Sequence, residues 1–361
     1  MIKREREEQI DQFIQKELEE GAFPGAVLAV VNDKKVLYKK SFGYAQLEPE
    51  RIKMKEDTIF DLASLTKVVA TTTVIMQLIE SGKINLWDYL KHYYPELPDE
   101  KKEINIFHLL THTSGFPAII CLWDRGLNYK EKIKHVLESP LEVKTGGKVI
   151  YSDLNFILLG DLIWRVTGQR LDKYTSQHIF QPLGMAMTAF NPLKKLSCTK
   201  NKDYAATEMC VWRDRMMIGE VHDENAFSFD GVSGHAGLFS TIDDLGKFTQ
   251  MLLNSGIYKG VRILSSNSVK LMAKDWTHNL NSHRGLGWDL IGNPHSSGGV
   301  LFSESAFGHT GFTGTSIWVD PKSKIGVALL TNRVHPTREN RKIISFRPLL
   351  HNLVVRLFCN S

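Results

Sequence analysis

The stretch FDLASLTKVVATTTVIMQLIESG, residues 60–82, places a serine three positions ahead of a lysine at the head of an apolar segment. Val68, Val69, Val74, Ile75, Leu78 and Ile79 recur at helical spacing behind that pair. At the start of a helix, positions i and i+3 share a face, so the Lys67 amine reaches the Ser64 hydroxyl. The amides of a helix N-terminus also offer donors to a developing oxyanion. A serine hydroxyl needs a neighbouring base to attack at neutral pH. An amine is that base only while it is neutral, a condition that burial and a nearby cation favour. The plain alternative is a helix-capping Ser64 with a solvated Lys67, and the motif alone does not separate the two. Ser197-Cys198-Thr199-Lys200 repeats the spacing in a polar stretch with no apolar helix behind it, and reads as a decoy.

Two further segments add chemistry. Tyr151-Ser152-Asp153 follows the turn-forming TGGKV and precedes a helical pattern from Leu154. A tyrosine phenol relays protons when cations stabilise its phenolate. FGHTGFTGTSIWVD sets His309-Thr310-Gly311 on the run into a strand. Gly311 there lets a substrate lie along the strand edge, where backbone amides complete an oxyanion hole. The alternatives are a half-buried aromatic for Tyr151 and a bulge glycine for Gly311.

Around these segments the chain reads as strands at both ends and helices between. Ile10 to Glu20 is an opening helix, and GAVLAVVNDKKVLYKKSFGYA is a hairpin turning at Asn32-Asp33. A helical pattern runs from Leu65 to about Leu97, punctuated by Gly82, and INIFHLLTHTSGF adds a helix ending in a polar turn. LNFILLGDLIWRVTGQRLDKYTSQHIF is helical with a stop at Gly168, and Ser240 or Thr241 caps a further helix. Leu193 to Arg215 has no clear period. TSIWVDPKSKIGVALLTNRV is a second strand pair, and a closing amphipathic helix spans about Arg338 to Leu357. Hairpins at both ends favour one antiparallel sheet built from both chain ends, with a mostly helical insertion. The expected division is residues 1–68 with 232–361 as an α/β sandwich and 69–231 as a mainly helical domain, the active site lying between them.

The 361 residues suffice for one large domain or two moderate ones, and 42% hydrophobic with 24% charged is ordinary for a globular protein. The net charge of +5 is scattered, without the dense basic tract of a nucleic-acid footprint. No window holds the roughly 18 apolar residues that read as a membrane helix. The opening MIKREREEQIDQF does not read as a signal peptide, so the expectation is a cytoplasmic protein as written, or an extracytoplasmic one had an export signal been removed. Cys121, Cys198, Cys210 and Cys359 form no C-x-x-C pair, which argues against a disulfide framework or a zinc cage. His222-Asp223-Glu224 offers metal-type ligands, but three consecutive residues do not converge on one ion; a pocket wall or polar loop is the better reading. His235 is a further pocket candidate, and His112 reads as structural. No cofactor or metal is expected.

S-x-x-K, then Y-x-(N/D), then H/K-T-G, in that order, resemble the penicillin-recognising serine hydrolases, and most closely the class C β-lactamase and related penicillin-binding-protein group. The resemblance spans about residues 25 to 331, through FDLASLTKVVATTTVIMQLIESGKINLWDYLKHYYPE, INIFHLLTHTSGFP, YSDLNFILLGDLIWRVTGQRLDKY, IFQPLGMAMTAF and GVSGHAGLFSTIDDLGKF. It implies the β-lactamase/transpeptidase-like α+β fold and acyl transfer through an acyl-enzyme. It makes Ser64 the nucleophile, Lys67 its base partner and Tyr151 the proton shuttle. The Ser64 and Phe312 amides become the oxyanion hole, and Asp153, His309, Thr310 and Gly311 line the substrate. Asp153 stands where class C β-lactamases have asparagine, and His309 where many members have lysine. An ionised aspartate donates no hydrogen bond to a substrate amide, and a neutral histidine offers no fixed charge to a carboxylate. Both changes count against efficient β-lactam hydrolysis.

GEVHDENAFSFDGVSGHAGLFS resembles a bacterial subgroup with penicillin-binding-protein-like hydrolases and a muropeptide amidase. The expected function is therefore a serine hydrolase of a cell-wall-derived peptide or muropeptide. A carboxylesterase, a weak β-lactamase or D-Ala-D-Ala carboxypeptidase, and a catalytically silent binder of peptidoglycan fragments are the alternatives. The expected partner is a small-molecule or peptide substrate, with neither nucleic acid nor an integral membrane segment.

Overall fold

The run GAVLAVVN is apolar at every position but the last, which a strand with one wet face would not be. It forms β1 (Gly25–Asn32), and both faces of β1 are covered. Ala26, Leu28 and Val30 point into a cluster with Ile10 and Ile14 of α1 (Ile2–Glu19) and Phe346, Leu350 and Val354 of the C-terminal helix. Val27, Ala29 and Val31 point the other way, into the larger core. Each valine or leucine so buried contributes about 1.5–3 kcal/mol, which fixes the register of the strand.

The computed structural model describes residues 2–196, 199–294 and 296–359. Its main sheet is antiparallel and draws on both chain ends. Besides β1 it holds β2 (Val36–Gln46), β3 (Ile52–Lys53), β4 (Asp289–Leu290), β5 (Phe307–Thr310), β6 (Ser316–Asp320) and β7 (Ile325–Thr331), in the order β4-β5-β6-β7-β1-β2-β3. β1 and β7 pair from Ala26 opposite Thr331 to Asn32 opposite Ile325.

Between the two strand groups lie a π-helical turn Lys67–Thr72 running into α2 (Thr73–Glu80), then α3 (Asp153–Thr167) and α4 (Ile242–Leu253). Gly168 ends α3 at φ +71°, and Thr241 caps α4 by accepting the Asp244 N–H. A small second sheet pairs Phe60–Asp61 and Ala189–Phe190 with Leu238–Ser240, setting residues 60–64 against the start of the α4 region.

Two expected helices are corrected. The helical pattern from Leu65 to Leu97 stops at Glu80, because Gly82 turns the chain at φ +69°, and only a single turn, Leu90–Tyr93, follows. The closing helix, α5 (Ile343–Phe358), begins five residues later than Arg338. Residues 338–342 are spent on tertiary contacts: Arg338 pairs with Glu208 and Glu224, and Asn340 donates to the Gly21 and Ala22 carbonyls. Among the described residues Cys121, Cys210 and Cys359 are free thiols; Cys198 and the serine of the decoy lie outside them. No helix among them is long and apolar enough to cross a membrane.

Candidate active site

Ser64 sits on a strained turn. Ala63 before it holds φ +47°, a conformation that costs a non-glycine residue about 1–3 kcal/mol and persists only where surroundings impose it. Asp61 imposes it: Oδ1 accepts the Ala63 N–H at 2.8 Å and Oδ2 the His222 N–H at 2.7 Å. Burial pushes the Asp61 carboxyl up, against the pull of those amides. From the facing segment, Thr313 donates to the Asp61 carbonyl at 2.8 Å and Thr315 to the Leu62 carbonyl at 3.0 Å. The Ser64 turn and the 311–315 turn are thereby tied into one unit. The amide N–H groups of Ser64 and Phe312 donate to no acceptor among the described residues, which leaves both for an oxyanion.

Behind Ser64, the Lys67 side chain is fully buried, and its Nζ has three acceptors: Ser64 Oγ at 3.0 Å, Asp153 Oδ1 at 2.7 Å and the His235 carbonyl at 3.2 Å. Three acceptors use all three protons of an ammonium. Burial alone would lower its pKa, but the Asp153 carboxylate and the Tyr151 phenol outweigh it, and the net direction is up. The expected part-neutral lysine is corrected: Lys67 rests as a cation. The cause is the carboxylate that replaces an asparagine. Asp153 both lines the cavity over this site and accepts from Lys67.

Tyr151 directly precedes Ser152, the N-cap of α3, and the Ser152 N–H donates to His112 Nδ1 at 3.1 Å. The phenol is ringed by charge and aromatics. Lys67 Nζ lies 4.9 Å from its ring centre and the Arg284 guanidinium 5.3 Å, with the His112 ring at 4.6 Å and the His309 ring at 5.8 Å. Tyr151 Oη is buried without a hydrogen-bond partner among the described residues. Burial, with Arg284 and Lys67 beside them, holds both His112 and His309 well below the usual histidine range, so both are neutral at pH 7.

A cavity of about 620 Å³ opens over these groups. Ser64, Tyr151, Asp153, Arg284, His309, Thr310 and Gly311 line it, together with His222, Phe312, Arg333, Arg338 and Arg341. Phe312 is 48% exposed, packed face-on against His222 with the Arg333 guanidinium 4.4 Å from its ring centre.

A model of the β-lactamase family matches residues 10–348. The chain belongs to that family. A relative from Bacillus subtilis (strain 168), an N-acetylmuramyl-L-alanine amidase, is 37% identical over 366 residues, covering 90% of this chain and 80% of the relative. A putative D-alanyl-D-alanine carboxypeptidase from Escherichia coli (strain K12) is 34% identical over 369 residues, covering 92% of this chain and 83% of that protein. The octameric penicillin-binding protein homologue from Pyrococcus abyssi superposes with a TM-score of 0.75 at 24% identity, over 97% of this chain and 77% of the other. The protein is thus a β-lactamase-family serine hydrolase with a β-lactamase/transpeptidase-like fold.

In this β-lactamase-family chain, Ser64, Lys67, Tyr151, Asp153, His309, Thr310, Gly311 and Phe312 converge on one site, as their order implied. Gly311 has a different reason from the one expected. A Cβ there would stand 2.1 Å from Thr315 Oγ1 and 2.5 Å from the Leu62 carbonyl, so packing against the Ser64 turn demands glycine. His222 lines the cavity and pairs with Glu208 at 2.8 Å; Glu208 is held down to about 2 by His222 and Arg338 despite its burial. His235 does not line the cavity. Its ring is buried behind, bonded to Asp223 at 2.9 Å and Ser233 at 2.8 Å, and its carbonyl holds Lys67. Burial works against the charge on Asp223, but His235 and the Ala226 amide hold the carboxyl well below its usual range. Asp153, Asp223 and His235 bring three ligand-type atoms within 4.8 Å of one another, and the Lys67 ammonium already supplies the positive charge there.

Arg284 went unrecognised in the sequence. It stands alone in SHRGLGW, with no spacing rule to mark it. Asp61 and Glu208 escaped for the same reason: each acts on a neighbour remote in the chain.

Proposed function

We propose that this protein hydrolyses an amide of a cell-wall-derived peptide, of the lactyl–L-alanine type, through an acyl-enzyme on Ser64. The observation that carries the chemistry is the single amine shared between Ser64 Oγ and Asp153 Oδ1, beside a phenol oxygen with no hydrogen-bond partner among the described residues. Ser64 Oγ attacks the carbonyl carbon, and the oxyanion is received by the Ser64 and Phe312 amides. The hydroxyl proton passes to Tyr151 Oη while the phenol proton passes to the leaving nitrogen. The Ser–acyl bond forms, the C–N bond breaks, and the amine departs neutral. Water then attacks the ester with the relay reversed, releasing the acid. Lys67, fixed as a cation, orients Ser64 and offsets charge on the relay.

Similarity to the amidase over most of both chains supports the substrate class. So do the cavity-lining Arg333 and Arg341, which have no carboxylate ion-pair partner among the described residues and suit a peptide carrying carboxylates. The absence of a lysine at position 309 and the carboxylate at 153 favour an amidase over a β-lactamase, and slow turnover of cephalosporins follows. The test compares a muramyl dipeptide, a D-Ala-D-Ala peptide, a short nitrophenyl ester and nitrocefin, each with a Ser64→Ala control, by mass spectrometry of products. Ser64-dependent release of the L-alanyl peptide supports the reading. Release of D-alanine with the muramyl amide untouched overturns it.

A further inference from the structure

Four buried side-chain atoms around the phenol have no hydrogen-bond partner among the described residues: Tyr151 Oη, His112 Nε2, His309 Nε2 and Arg284 Nη1. They come from four separate parts of the chain. We infer that Arg284 is the positioning residue that carries the charge developing on the Tyr151 oxygen during proton transfer, an inference that rests on the acyl-transfer reading above.

The groups facing the phenol are few. From the π-helical turn comes Lys67, which acts on the phenol but is already paired with Asp153 at 2.7 Å. From the segment before α3 comes His112, and from β5 comes His309; both are neutral, so neither opposes a negative charge with a positive one. From the segment before β4 comes Arg284, 5.3 Å from the ring centre. Its nearest carboxylate, Asp289, is 3.9 Å away, beyond hydrogen-bond length, and that carboxylate already accepts from Asn293 Nδ2 at 2.8 Å. Burial pushes the Asp289 carboxyl up, against the pull of Arg284 and Asn293. Arg284 is therefore the cation at the phenol whose charge is least compensated.

The backbone holds it in place. The Arg284 N–H donates to Thr277 Oγ1 at 2.9 Å and its carbonyl accepts the Trp276 N–H at 2.9 Å. The next glycine, Gly285, lies so close to the Met272 carbonyl that a Cβ would stand 1.9 Å from it. Two residues further, the Gly287 N–H donates to the Leu110 carbonyl at 2.8 Å, tying this segment to the one that carries His112. The backbone that carries the arginine is thus pinned on both sides, which delivers the guanidinium to the phenol from a fixed anchor, and preorganised charge is what electrostatic catalysis uses.

The experiment measures the rate at which a fluorophosphonate phosphonylates Ser64, with loss of fluoride, as the stand-in for acylation, in the parent, Arg284→Ala, Arg284→Gln and Arg284→Lys, with Ser64→Ala and Tyr151→Phe as controls and thermal melts for each. One cation near a part-buried charge predicts a loss of about a hundredfold in the alanine and glutamine variants. Recovery of at least tenfold is expected from lysine at that position or from added guanidinium ion in the alanine variant. A folded alanine or glutamine variant acylating at the parent rate overturns the proposal. So does a loss that neither lysine nor guanidinium recovers, since that marks a merely structural arginine. If Tyr151→Phe acylates like the parent, the relay itself fails, and that failure is distinct from the failure of Arg284 alone.

Discussion

Replacing Asp153 with asparagine removes the one carboxylate among the described residues that is bonded to the fully buried Lys67 ammonium. The pair is 2.7 Å long, with the Lys67 side chain fully buried and Asp153 19% exposed. Removing one partner of a buried ion pair costs about 3–5 kcal/mol. Ser64 Oγ and the His235 carbonyl still accept from Nζ, and Asp153 is partly wet, so the low end applies, about 3 kcal/mol. Without the carboxylate, burial acts on the lysine with less to oppose it, and its pKa falls. The sign follows from linkage. In the parent the folded lysine is raised above its unfolded value, so its contribution is complete below about pH 10 and lost only above it. In Asp153→Asn the folded value drops below the unfolded one, so stability rises with pH between the two. Urea unfolding at pH 7 and pH 9.5 is the assay. The variant is expected to be about 3 kcal/mol less stable at pH 7, with the deficit shrinking by pH 9.5. Equal stability at pH 7, or a deficit that does not change with pH, would refute the claim that Lys67 rests as a cation held by Asp153.

Two other outcomes follow from the same geometry. Gly311→Ala places a Cβ 2.1 Å from Thr315 Oγ1, so a loss of about 1–3 kcal/mol in stability is expected together with slower acylation; an unchanged melting temperature would count against the pairing of the two turns. His309 is buried neutral with a folded pKa well below the unfolded value near 6.5, so its contribution is present above that pH and lost as pH falls through it. Between pH 7 and pH 5, His309→Gln should therefore lose less stability than the parent, by up to about 1.4 kcal/mol per pH unit, and identical slopes would contradict the assignment.

The fold was legible because its signals are local. An unbroken apolar run at residues 25–31 and a hairpin near each chain end require a sheet covered on both faces, and β1 beside β7 is that sheet. Three short motifs in a fixed order brought Ser64, Lys67 and Tyr151 to one cavity. The charge state of Lys67 was not legible, although Asp153 was in view. It depends on whether a carboxylate touches the amine, and no spacing rule says that residues 67 and 153 meet. The start of α5 was misplaced because the amphipathic pattern continues through residues that pair with Glu208, Glu224 and Gly21 instead of forming helix. Arg284 was invisible for the same physical reason: its importance comes from what lies 5.3 Å away across the fold.

Intact-mass analysis after treatment with a fluorophosphonate, followed by peptide mapping, addresses the nucleophile itself. One adduct per chain, on Ser64 and missing from Ser64→Ala, is the expected result. An adduct on another residue, or equal labelling of the alanine variant, would contradict it.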